Sequence, residues 1–190
     1  MIVEARAAYN GPMALADLLR VAGGEDARAA DYEALASAIR AAPAEARDVL
    51  DRESDSTTTF CLLGSIRASG AWLAAVDAGL ATGSSCVADA CFRIARGVHA
   101  GACATAVMEA LDRHGHRPRL ADVVRRSVRE FMDEERARDP FAHTDPWGNP
   151  TVTDDLLARI VRGYIEKLPE CLREAAGEEA RSYPEISDKL

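Results

Sequence analysis

Between Phe60 and Arg113 the apolar residues recur at helical spacing, and the positions around them are filled largely by alanine, glycine and serine. Turned at about 100° per residue, Leu62, Ile66, Leu73, Val76 and Leu80 fall within one sector. The other faces of that stretch carry Gly64, Ser65, Ala68, Ser69, Gly70, Ala71, Ala74, Ala75 and Ala78, small enough for helices to approach closely on several sides. The pattern predicts a buried central helix over residues 60–81 with only Arg67 and Asp77 charged. Gly83 stops that helix. Ser84 or Ser85 then caps a second long one, running to about Arg113 with Val87, Cys91, Ile94, Val98, Thr105 and Met108 in line. Two such helices joined at Gly83 predict an antiparallel hairpin over residues 60–113.

Composition points the same way. Alanine occupies 37 of the 190 positions and aromatic residues only ten, whereas strands need larger side chains to fill a pleated surface. A chain of this length buries enough surface to fold without a disulfide or metal. The expected fold is all-α, a single-domain multi-helix bundle on a long central antiparallel helical hairpin.

Around the hairpin the punctuation is plain. Residues 1–53 read as short, alanine-rich and mostly peripheral helices: one after Pro12 with Leu15, Leu18 and Leu19, ended by Gly23-Gly24; one through Leu35 and Ile39; and one starting at Pro43. The run Ser54 to Thr59 is rich in capping side chains and reads as a connection. An amphipathic helix spans 118–138, with Leu120, Val124, Val128, Phe131 and Glu135 at helical spacing. Arg125, Arg126, Arg129 and Arg136 lie opposite; they are interleaved with carboxylates and predict a solvated face with intrahelical pairs. Three prolines make residues 139–153 the longest loop. Helices follow over 154–180, the first capped by Thr153 and the next begun at Pro169, before a frayed tail.

The formal charge of −8 argues against a nucleic-acid or anionic-membrane binder. No stretch offers the roughly 20 uncharged residues of a membrane span. The N-terminal segment lacks a secretory pattern, and five cysteines suit buried, reduced thiols, so a cytoplasmic setting is expected. Several chemistries fail on spacing. There is no Gly-rich phosphate loop, no Gly-x-Gly-x-x-Gly, no Gly-x-Ser-x-Gly, no Glu-x-x-His and no His-Asp doublet. Cys86, Cys91, His99 and Cys103 project around a helix too widely for one ion, and only His99 and Cys103 share a face, so no metal site is assigned. No cofactor is assigned either.

Two constellations remain. Charges within apolar sectors need a partner or a purpose, which singles out Asp77 and an inward-facing Glu109. Pairing the two long helices about Gly83 places Arg67 at the level of His99 and Cys103. The 139–153 loop adds His143, Asp145 and Trp147, either as a lid or as a brace with Trp147 in the core. These eight residues are the ligand-binding candidates, and no catalytic residue is picked out. Two functions follow: non-catalytic binding of a macromolecular partner, as an adaptor, regulator or toxin-neutralising protein; or a small-molecule enzyme or ligand sensor with a polar pocket inside the bundle. The partner is thus a protein or a small molecule, with homo-oligomerisation left open.

Overall fold

The computed structural model describes residues 13–67, 69–98, 102–137 and 153–190. All regular structure among them is helical: α1 Leu15–Ala22, α2 Ala29–Ala41, α3 Pro43–Arg52, α4 Ser54–Arg67, α5 Gly70–Ala81, α6 Ser85–Ala95, α7 Ala102–Arg113, α8 Arg117–Ala137, α9 Asp154–Lys167, α10 Glu170–Arg181 and α11 Pro184–Ser187. Among the described residues no helix is long and apolar enough to cross a membrane. Where length alone suggests one domain, the chain divides into two compact units, Met1–Cys91 and Phe92–Leu190.

In the first unit α2 and α5 form the most extensive helix pair. Tyr32, Leu35, Ala36 and Ile39 of α2 and Trp72, Ala75, Val76 and Leu80 of α5 are all buried. The Arg40 guanidinium donates to the Ala74 carbonyl at 3.3 Å across this pair. Leu19 of α1 and Leu50 of α3 are also fully buried. The N-terminal helices are therefore core elements and not the peripheral ones their shortness suggested, because the alanine faces of α5 leave room that larger side chains of α2 fill.

The helix expected over 60–81 is two helices. Ser69 has extended backbone (φ −77°, ψ 148°), and its side chain accepts from the Trp72 amide at 3.2 Å, capping α5. The break resets the helical phase. Thr57, Phe60, Cys61 and Gly64 form the buried face of α4, while Ile66, expected in the apolar stripe, is 78 % exposed. The polar run from Ser54 belongs to α4 itself; within it only Thr57 is buried, and its hydroxyl donates to the Leu50 carbonyl at 2.8 Å, so it is not orphaned.

Gly64 is required by its neighbour. A Cβ built there would overlap Cδ1 and Nε1 of the Trp72 indole. The indole lies against bare α4 backbone, and its N–H donates to the Phe60 carbonyl at 3.3 Å. A second tie runs from α3 to the start of α6: the Asp51 carboxylate accepts from Ser84 Oγ (2.7 Å), Ser85 Oγ (3.3 Å) and the Cys86 amide (3.1 Å). Burial raises this carboxyl, but the bonds from Ser84, Cys86 and Ser85, with Arg47 nearby, together bring it below its ordinary value.

In the second unit α8 packs most extensively on α10, with α9 and α11 also against α10. Leu120, Val124, Val128 and Phe131 of α8 are buried as their spacing predicts, joined by Leu157, Val161 and Tyr164 of α9 and Leu172 and Ala176 of α10. Thr153 caps α9 by accepting from the Leu156 amide at 3.3 Å. At the other end of α9, Arg173 of α10 donates to the Leu168 (3.0 Å) and Glu166 (3.2 Å) carbonyls that the helix leaves without partners. The tail is not frayed: α11 turns Ile186 inward, Tyr183 is buried, and Arg136 lies over the Tyr183 ring at 4.7 Å.

The helix expected over 85–113 is also two. Gly97 adopts φ +102°, which favours glycine, and its amide donates to Ser127 Oγ at 2.9 Å. The arginine face of α8 pairs chiefly between helices and not within one. Arg129 makes two bonds to Glu179 (2.9 and 3.0 Å), Arg136 two to Glu185 (2.6 and 2.8 Å), and Arg125 reaches Glu178 at 3.4 Å as well as Asp122 on its own helix at 3.5 Å.

Among the described residues one buried side-chain polar atom lacks a partner, the Tyr164 hydroxyl. Burial pushes the Tyr164 phenol up to about 12, and although Ser127 is near enough to pull the other way, no hydrogen bond to the Tyr164 hydroxyl forms. Ser127 already accepts from Gly97 and donates to the Val123 carbonyl at 2.9 Å.

Three outcomes are expected. Gly64→Ala, which in an ordinary helix interior stabilises by about 0.5–1 kcal/mol, should here destabilise by about 1–3 kcal/mol in urea unfolding, and a raised midpoint would remove the Trp72 contact from the account. Asp51→Ala should cost about 0.5–2 kcal/mol at neutral pH. Because the folded carboxyl lies below its unfolded value, near 3.9, that stability is complete above the unfolded value and is lost as pH falls through the folded one. The gap between parent and variant should therefore close below about pH 4, and a gap independent of pH would show that the charge is not what holds α6. Tyr164→Phe should leave stability unchanged or raise it by about 1 kcal/mol, since no bond is lost; a clear loss would reveal a partner for the phenol.

Candidate functional site

Arg67, the last residue of α4, meets the end of α1. Its guanidinium donates to the carbonyls of Gly24 (3.2 Å), Ala27 (3.3 Å) and Glu25 and to the Tyr32 hydroxyl (3.2 Å). Those carbonyls belong to the turn between α1 and α2, and the planar fork of an arginine suits several acceptors at once. Arg67 is thus a clamp on the fold. The sequence placed it in one layer with His99 and Cys103, but that register assumed two unbroken helices, and both are interrupted.

The remaining described candidates are divided between the two units. Asp77 is half-buried on α5 in the first unit; Cys103 is half-buried and Glu109 exposed on α7 in the second. Glu109 was expected to face inward because its direction was projected along a helix starting near Ser85; the interruption between α6 and α7 voids that projection. Cys103 and Glu109, six positions apart, project about 240° from each other and share no face. His99, His143, Asp145 and Trp147 lie outside the described residues, so the loop proposed as a lid is not placed.

The geometry shows a site the sequence did not single out. Where α1 ends against the first turns of α4, Arg20, Gly23, Asp55, Ser56 and Thr59 line an open cleft of about 200 Å³. At Gly23 the two backbones come close, although a Cβ there would still sit at ordinary contact distance, 3.4 Å from the Phe60 nitrogen and 3.6 Å from the Ser56 carbonyl oxygen. Arg20 is held by Asp17 at 2.5 Å. The cleft presents a guanidinium, a carboxylate and two hydroxyls, enough to hydrogen-bond a small polar group, but it is smaller than the roughly 300–1,000 Å³ of most ligand pockets. Its residues come from two segments more than thirty positions apart, and the one local signal, the hydroxyl-rich run from Ser54, reads equally well as a helix cap.

In the second unit polar groups gather at the turn between α7 and α8. Arg117 makes two bonds to Asp112 (2.6 and 3.0 Å) and holds that carboxyl below its ordinary range. The Cys171 thiol donates to the same carboxylate at 3.4 Å, and burial, then Asp112, pushes the thiol up. Such a thiol stays protonated and is a poor nucleophile. Arg119 stacks on the Phe92 ring at 4.2 Å, with His116 edge-on to that ring at 5.8 Å. Among the described residues no three His, Cys, Asp or Glu side chains are placed to hold a metal ion.

If Arg67 clamps the turn, Arg67→Lys should lower stability almost as much as Arg67→Ala, by about 1–2 kcal/mol in urea unfolding, because one ammonium cannot span four acceptors. Full rescue by lysine would mean that only the positive charge matters there. Compared with protein-family models, with curated proteins and with solved structures, the chain matches none.

Proposed function

We propose that this protein acts by non-catalytic binding of a macromolecular partner, as an adaptor, regulator or toxin-neutralising protein does, and that the acidic first unit is the surface it offers. One observation carries the reading. Residues 1–91 hold 13 acidic against 7 basic residues and residues 92–190 hold 18 against 16, so most of the net charge of −8 belongs to the first unit. There Glu25, Asp26, Glu33, Glu45, Asp48 and Asp55 are exposed. Such a surface steers a basic partner into encounter and disfavours an acidic one. In the second unit three arginines of α8, Arg125, Arg129 and Arg136, are paired with Glu178, Glu179 and Glu185. A reducing, cytoplasmic setting is part of the proposal, supported by five free thiols. So is the reading of the chain as a single domain, which its length allows.

The second reading, a small-molecule enzyme or ligand sensor, is favoured by the cleft of Arg20, Asp55, Ser56 and Thr59. Native mass spectrometry of the protein purified gently from its host separates the two. The first reading expects an added macromolecule that leaves at raised salt and is lost from the Glu45→Lys/Asp48→Lys double variant, in which two exposed carboxylates on α3 reverse sign. An added small mass, lost instead from Arg20→Ala, would favour the ligand reading. A bare chain at every salt concentration would count against both.

A further inference from the structure

We draw no further inference here: the strongest candidate, the thiols of Cys61 and Cys91 buried side by side between α4 and α6 of the first unit, rests only on a raised Cys61 pKa, and a thiol held neutral in a sealed core neither attacks a disulfide nor ligates a metal.

Discussion

The first unit depends on an aromatic ring lying against bare backbone. Trp72 begins its helix under the cap of Ser69 and lays its indole on Gly64, one turn before the preceding helix ends. Any side chain at Gly64 would displace the ring. The same ring donates to the Phe60 carbonyl, so a single residue joins α4 and α5 both by close packing and by a buried hydrogen bond. From this junction the rest of the unit takes its places: α5 turns its alanine faces to α2, and Arg67, just beyond the junction, reaches the turn between α1 and α2. Small residues here do more than raise helix propensity, since they set how near two helices come.

Polar residues in both units work mainly to finish helices. Asp51 supplies from α3 the carboxylate that the start of α6 needs, Arg67 satisfies carbonyls beyond α1, and Arg173 does the same at the end of α9. Helix termini leave backbone groups without partners, and a chain of many short helices has many termini. Side chains borrowed from a neighbouring helix solve this problem and fix the order of packing at the same time. Charge left over after these tasks is unevenly distributed between the units, and the proposed recognition of a partner rests on that imbalance.

Much of the secondary structure was legible from punctuation. Pro43 opens α3, Thr153 caps α9, and Leu120, Val124, Val128 and Phe131 mark the buried stripe of α8, all read from residue type and spacing. The failures have one cause. Ser69-Gly70 and Gly97 are ordinary cap and turn signals, but each stands in an apolar stretch where small residues are also what a closely packed helix face would carry. Periodicity continued across such a break assigns every later residue to the wrong direction, which is how Ile66 was expected buried and Glu109 inward.

By itself, then, the sequence determined the helical class, some of the caps, most of the amphipathic faces and the acidic balance, because these depend on residue type and on spacings within one helix. Only the tertiary structure decided that the long apolar stretches are interrupted, that the short N-terminal helices form the core of the first unit, and which groups Arg67 and Asp51 bind. The packing of the N-terminal helices and the bonds of Arg67 and Asp51 depend on contacts between segments 30 to 50 positions apart. For such contacts the partner of a side chain is set by where helices end and how closely small residues let them meet, and no local pattern in the chain records that distance.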